Sequence, residues 1–228
     1  MTAMLRSSAV GEARSPAESF RGRTAILFDL DGTLYGGPAL APFFAHVDAV
    51  TGLRVRALVG ESDPARAFDA IERLRAGDPA LRSKSDVLER RFGIGLAEMN
   101  RFRERFTDVE AYVTPDPRAA RLLRGLAKER ALALGTNNAP RLARRLLARL
   151  GVDPSTFAAI LTSEDVGAAK PDARFFREAA RRLGRAPSEI VSVGDRTESD
   201  LAPAEALGFG AWEVRGPDDL FALEALLR

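Results

Sequence analysis

Four short apolar runs, each ending in acids, hydroxyls or amides and followed by an amphipathic helical pattern, constrain this chain most. Ile26-Leu27-Phe28 meets Asp29; Ala131-Leu132-Ala133-Leu134-Gly135 meets Thr136-Asn137-Asn138; Ala158 to Leu161 meets Thr162-Ser163-Glu164-Asp165; Ile190-Val191-Ser192-Val193-Gly194 meets Asp195. Continuous apolar runs of this length suit strands buried on both faces, and strands alternating with helices make a parallel sheet with helices on both sides. The fold class expected is therefore α/β and Rossmann-like. Ligands in such sheets bind outside the carboxyl ends of the strands, so the polar residues at these four ends converge on one place.

The first end is the densest in chemistry, reading Asp29-Leu30-Asp31-Gly32-Thr33-Leu34. Residues i and i+2 of a strand share a face, so Asp29 and Asp31 would set two carboxylates side by side. Their repulsion asks for a cation between them, and an oxygen-only donor set suits Mg²⁺. Thr33 can donate a hydroxyl hydrogen bond into the same place. Taken alone, a solvated Asp-Gly turn after a strand explains the same residues.

The ordered set decides between these readings. Asp-Leu-Asp-Gly-Thr-Leu at 29–34, Thr136-Asn137, Lys170-Pro171, and Gly194-Asp195 with Asp200 five residues later resemble, in order and spacing, the four motifs of the haloacid dehalogenase-like superfamily. The resemblance runs from about Arg23 to the C-terminus. It implies Asp29 as a nucleophile that takes a phosphoryl group and Asp31 as general acid and base. It further implies Thr136, Asn137 and Lys170 around the phosphoryl oxygens, with Thr33 assisting. Asp29, the backbone carbonyl of Asp31, and Asp195 would hold Mg²⁺, with Asp200 orienting Lys170 or a metal-bound water. Asp31 also separates activities within the family, because dehalogenases and phosphonate-cleaving members lack this second aspartate. Hydrolysis of a small phosphorylated metabolite is the expected reaction; a phosphosugar mutase and a non-catalytic phospho-ligand or protein-binding member are the alternatives.

Lys170 carries a compositional argument as well. Only three of the 34 basic residues are lysines, namely Lys84, Lys128 and Lys170. Where arginine is the default cation, a compact ammonium before a proline suits a point-charge role between a carboxylate and a phosphoryl oxygen.

Between Tyr35-Gly36-Gly37-Pro38 and Thr114-Pro115-Asp116-Pro117, both hinge-like, the patterns are helical: Pro42 to Val50, Pro64 to Arg75 with Phe68, Ile71 and Leu74 on one side, Ser85 to Phe92, and Leu96 to Phe106. Residues 37–113 are thus expected to be an inserted helical cap on a core of 23–36 and 114–228, similar to the C1 subgroup of the family. Tyr35, His46, Arg54, Arg56, Lys84, Arg90 and Arg91 are candidates for contacting substrate, and Met99, Phe102 and Phe106 are expected in the cap's own core. Residues 1–22 lack an apolar period and read as a flexible extension; Glu12 and Glu18 count against a transit peptide.

Composition narrows the remaining classes. The chain has 228 residues, 46% hydrophobic, enough for a full core. It has no cysteine, which removes disulfides, thiolate metal sites and a cysteine nucleophile. No apolar stretch reaches the roughly 18 residues that a membrane span needs. The sequence pI is near 9.4, yet the formal net charge is only +2, with arginines interspersed among acids. That balance fits a salt-bridged surface better than nucleic-acid binding. A cytoplasmic monomer or homodimer is expected.

Overall fold

The computed structural model describes residues 16–81 and 83–227. Five parallel strands, β1 (Ala25–Phe28), β2 (Ala131–Thr136), β3 (Ala159–Thr162), β4 (Ile190–Gly194) and β5 (Gly210–Glu213), form one sheet in the order β3-β2-β1-β4-β5. β1 lies at the centre, with Phe28 level with Leu134 of β2 on one side and Val193 of β4 on the other. Register therefore places Asp29 between the ends of β2 and β4. The four apolar runs are four of these strands. The fifth, β5, is a short edge strand whose Gly210-Ala211-Trp212-Glu213 has too brief an apolar character to stand out in the sequence.

Twelve α-helices accompany the sheet among the described residues: α1 (Pro16–Phe20), α2 (Leu40–Val55), α3 (Pro64–Ala76), α4 (Lys84–Phe92), α5 (Leu96–Phe106), α6 (Val109–Tyr112), α7 (Pro117–Leu126), α8 (Pro140–Arg149), α9 (Ser163–Val166), α10 (Ala173–Leu183), α11 (Ala202–Glu205) and α12 (Pro217–Leu220). Sequence sets their starts. Asp63, Asp116 and Asp172 cap α3, α7 and α10, accepting from backbone N–H groups, with proline leading α3 and α7. The strand period divides the core between the sheet's two faces. Ile26 and Phe28 look toward α7 and α8, whereas Ala25 and Leu27 look toward α10, whose Phe175 and Phe176 are fully buried.

Between residues 37 and 113 the regular elements among the described residues are all helices, with α2 packed on α3 and α5 around Val55, Ile71, Val87, Leu88 and Met99. One position departs from the expected cap core: Phe106 is 43% exposed, while Met99 is buried. Leu74, expected on one side of α3 with Phe68 and Ile71, is 39% exposed. Phe106 ends α5, where its ring lies tilted against Phe102 at 4.6 Å and under the Arg105 guanidinium. The expected extension also ends sooner than residue 22. Pro16–Phe20 is a helical turn, and Phe20 is buried edge-on against Trp212 of β5 at 6.0 Å. The remainder of that segment, residues 1–15, lies outside the described residues.

Candidate active site

Asp29 leaves β1 with its N–H bonded to the Val193 carbonyl at 2.8 Å, which aims its side chain at the carboxyl end of the sheet. The chain then turns tightly. Gly32 adopts φ +85° and its N–H bonds the Tyr35 carbonyl at 2.9 Å. A Cβ at Gly32 would collide with the Asp195 carboxylate, so glycine is required both by the backbone angle and by the close approach of the β4 end.

Lys170 lies between two carboxylates, its Nζ 2.6 Å from Asp29 Oδ1 and 2.5 Å from Asp200 Oδ1. All three are buried. Burial alone would discharge the lysine, but the two carboxylates outweigh it and hold its pKa above the ordinary value. Burial likewise pushes the Asp29 carboxyl up, with Lys170 pulling against it. The Lys170 backbone is held by a reciprocal pair: its N–H donates to Asn137 Oδ1 at 2.9 Å, and Asn137 Nδ2 donates to its carbonyl at 3.0 Å. Asp200 sits in a single π turn, Thr197–Leu201, that starts the helical segment after β4. Ser192 of β4 donates to its carbonyl and Ser199 to its Oδ2.

Asp31 faces the same opening. Tyr35 Oη donates to its Oδ1, Asn138 Nδ2 donates to its Oδ2 at 2.6 Å, and Thr136 Oγ1 makes a long contact of 3.5 Å. Burial, then the charge of Asp29, raise Asp31 to about 6. Asp195 is raised to about 6 for the same two reasons in the same order.

One carboxylate oxygen from each of Asp29, Asp195 and Asp200 lies within 4.8 Å of the others, and the buried Asp195 Oδ1 has no hydrogen-bond partner. An all-oxygen donor set with an orphaned carboxylate oxygen fits a hard divalent cation. Asp195 and Asp29 are both among the expected metal ligands. Asp200 also accepts from Lys170 Nζ.

The structure thus brings Asp29, Asp31, Thr136, Lys170, Asp195 and Asp200 together at the ends of β1, β2 and β4. Thr33 is wholly buried and donates to Asp29 Oδ2 at 3.4 Å, so it steadies the carboxylate from behind. Asn137 spends both ends of its amide on the Lys170 backbone, which makes it a brace for the lysine loop. Asn138, Phe44 of α2, Arg196 and Ser199 also face the opening, a cavity of about 160 Å³. Asn138 was within sequence reach, as the second residue after β2; Phe44 and Arg196 meet only in three dimensions, the guanidinium 5.5 Å from the ring centre.

The cap candidates behave differently. Arg54 pairs with Glu98, Lys84 with Asp48 and Glu72, and Arg91 with Asp78; Arg90 donates to the Ala80 carbonyl. His46 accepts from the Asp108 N–H and stacks on Tyr112 at 5.0 Å. None of these lines the cavity, and Arg56 does not either. Arg54, Lys84 and Arg91 thus have carboxylate partners within residues 37–113, and of these candidates Tyr35 alone reaches a catalytic candidate. A larger cavity of about 260 Å³ lies at the hinge around Gly36, Thr114 and Pro217, away from the carboxylate cluster.

Residues 24–208 match the family model of the haloacid dehalogenase-like hydrolases. The chain belongs to that family and is a hydrolase of its type. It is 30% identical over 204 residues to glyceraldehyde 3-phosphate phosphatase of Methanopyrus kandleri, an alignment covering 84% of this chain and 83% of the relative. It is 39% identical over 126 residues to phosphoserine phosphatase of Thermus thermophilus, covering 52% of this chain and 47% of the relative, so that this match spans about half the relative's length. Among solved structures, a HAD phosphatase from Thermococcus onnurineus superposes with a TM-score of 0.61 at 23% identity, covering 89% and 97% of the two chains, a likeness of fold. A 2-haloacid dehalogenase from Pseudomonas syringae pv. Tomato superposes with a TM-score of 0.56 at 26% identity, covering 90% of this chain and all of its own.

Proposed function

We propose that this protein hydrolyses a small organic phosphate monoester through an aspartyl-phosphate on Asp29, with a divalent cation, Mg²⁺, at the Asp29/Asp195 cluster. The observation that carries the reading is the pairing of two differently held carboxylates at the end of β1. Asp29 is charge-paired with Lys170, whose ammonium favours the ionised, nucleophilic form against the burial that raises its pKa. Asp31, raised to about 6, is set to exchange a proton near neutral pH. Phosphoryl transfer asks a protein for positioning and for positive charge around the equatorial oxygens.

Asp29 attacks phosphorus in line, and Asp31 delivers its proton to the departing alkoxide. Asp31, now a base, takes a proton from the water that attacks the aspartyl-phosphate and releases inorganic phosphate. Lys170 holds Asp29 in place and offers its ammonium to a phosphoryl oxygen. Asp29, Asp195 and the Asp31 carbonyl would hold the cation, which when bound supplies charge neutralisation to the phosphoryl group. Phe44 and the cap cover the opening and limit water.

The cavity of about 160 Å³, lined mostly by polar side chains, suits a small polar phosphate ester. The relatives named for phosphoserine and glyceraldehyde 3-phosphate point the same way. The presence of Asp31 favours phosphate esters over haloacids, although the dehalogenase structure shares the fold.

The test is phosphate release from a panel of phosphorylated metabolites with Mg²⁺, with Asp29→Asn as control. The expected result is turnover by the wild type on one or more small monoesters, none by Asp29→Asn, and none with EDTA. Equal inactivity of wild type and variant across the panel sinks the reading in favour of a binding role. Sugar-phosphate interconversion without phosphate release makes the protein a mutase.

A further inference from the structure

We propose that Tyr35 and Asn138 are positioning residues that clamp the Asp31 carboxylate from opposite walls of the site, so that proton transfer by Asp31 depends on a residue that never meets the substrate. The proposal rests on the phosphatase reading above.

The clamp is built from the local chain path. The Gly32 turn folds residues 31 and 35 alongside each other as an isolated bridge, and Gly32 N–H ties to the Tyr35 carbonyl at 2.9 Å. That path carries the Tyr35 ring into the core. It is 7% exposed and meets Phe43, in the first helix of the cap, edge-on at 6.2 Å. From there its hydroxyl donates to Asp31 Oδ1.

The second jaw comes from the core. Asn138 follows β2, and its own N–H is fixed by Thr136 Oγ1 at 3.1 Å. Its Nδ2 donates to Asp31 Oδ2 at 2.6 Å. Each carboxylate oxygen therefore has its own donor, and the two donors approach from different elements. An aspartate side chain has two rotatable bonds, and a donor on each oxygen fixes both the arm and the carboxylate plane. Asn138 borders the carboxylate-lined cavity, whereas Tyr35 borders only the separate hinge cavity, so in the reaction Tyr35 acts through Asp31.

Loss of the clamp should harm the steps in which Asp31 moves a proton and spare the one in which it need not. An alkyl phosphate has a poor leaving group that must be protonated. The nitrophenolate of p-nitrophenyl phosphate leaves without a proton, so only the second half of its turnover needs Asp31.

The experiment compares wild type, Tyr35→Phe and Asn138→Ala, each as the full chain with Mg²⁺, on glycerol 3-phosphate and p-nitrophenyl phosphate, with thermal unfolding as a check on folding. In Tyr35→Phe, kcat on glycerol 3-phosphate should fall by roughly 10- to 100-fold, part of what general acid-base catalysis contributes, while KM changes by less than about 3-fold. With p-nitrophenyl phosphate the pre-steady-state burst should keep its rate within about 3-fold, and the steady-state phase should slow as the alkyl substrate does. Asn138→Ala should show the same split. Equal losses in the burst and on the alkyl phosphate, or no loss in either variant, overturn the clamp while leaving the phosphatase reading intact. A wild type that turns over no monoester overturns both.

Discussion

The Lys170 ammonium stands 2.6 Å from the Asp29 carboxylate, and the two side chains are only 5% and 9% exposed. With Asp200 at 2.5 Å on its other side, this lysine bridges two carboxylates of the cluster, while Arg196 stands 3.9 Å from the third, Asp195. Lys170→Met leaves two buried carboxylates without their counter-ion. The variant should lose stability by about 3–5 kcal/mol in the absence of Mg²⁺, the cost of breaking a buried pair from one side. Its kcat should fall by roughly 100- to 1000-fold, the scale of removing one preorganised charge from a transition state. Lys170→Arg should not restore it, because a planar fork cannot sit as a point between Asp29 and Asp200. Urea unfolding with EDTA and phosphate release with Mg²⁺ measure the two effects; a Met variant that keeps more than about a tenth of wild-type kcat contradicts the role.

Gly32 separates backbone strain from site damage. Its φ of +85° would strain any L side chain, and its added Cβ would meet the Asp195 carboxylate. Gly22 offers the control: its φ is +72°, and nothing lies within 4 Å of an added Cβ. Both Gly→Ala changes should lose about 1–2 kcal/mol from the left-handed backbone. Only Gly32→Ala should also displace Asp195, raising the Mg²⁺ concentration needed for half-maximal activity. An unchanged Mg²⁺ dependence in Gly32→Ala would mean that Asp195 does not hold the cation.

The carboxyl cluster also sets a pH signature. Asp31 and Asp195 are both raised from 3.8 to about 6 in the folded protein, by burial first and by Asp29 second. The folded state then binds more protons than the unfolded one between about pH 4 and 6. The favourable contribution is complete below pH 4 and is lost as pH rises through 6. A cation among these carboxylates relieves the repulsion that the rise in pH creates. Mg²⁺ should therefore raise Tm more at pH 7.5 than at pH 5, measured by differential scanning calorimetry with EDTA as reference. An equal rise at both values would place the cation elsewhere.

How much of this was legible depends on whether the signal is local. The ends of β1, β2 and β4 were readable because buried parallel strands are continuous apolar runs and the motif residues stand directly after them. β5 was not, since a four-residue edge strand with a central tryptophan has no run to detect. The cap helices were readable from their apolar spacing, but the exposure of Leu74 and Phe106 was not, because spacing says which residues share a face and not whether a neighbour covers it. The basic residues Arg54, Lys84 and Arg91 read as available for a ligand, but Glu98, Asp48, Glu72 and Asp78 stand beside them, pairings that depend on how helices cross. Tyr35 looked like a cap residue by its place at the hinge; only the Gly32 turn, which folds residue 35 back beside residue 31, shows it at Asp31.

Specific hydrogen bonds hold α5 against the core, which makes its release testable. The buried Asn100 of α5 donates to Glu164, after β3, at 2.6 Å. Arg145 of α8 donates to the carbonyls of Glu104 and Thr107, where α5 ends. The Asn100 bond ends on a charged acceptor, so Asn100→Ala should cost about 1.5–3 kcal/mol locally. That cost falls on the docked position of α5 and not on the sheet. Hydrogen exchange should speed up in α5 and α6 and stay unchanged in β1 and β4, since sub-global opening follows the elements whose contacts are lost. Glu164→Gln, which keeps an acceptor oxygen, should show a smaller effect in the same helices. If the cap closes over substrate through this contact, KM should rise in step with the exchange rates while the burst rate on p-nitrophenyl phosphate at saturation holds. Faster exchange spread equally through the sheet would show that Asn100 supports the whole fold and does not latch the cap.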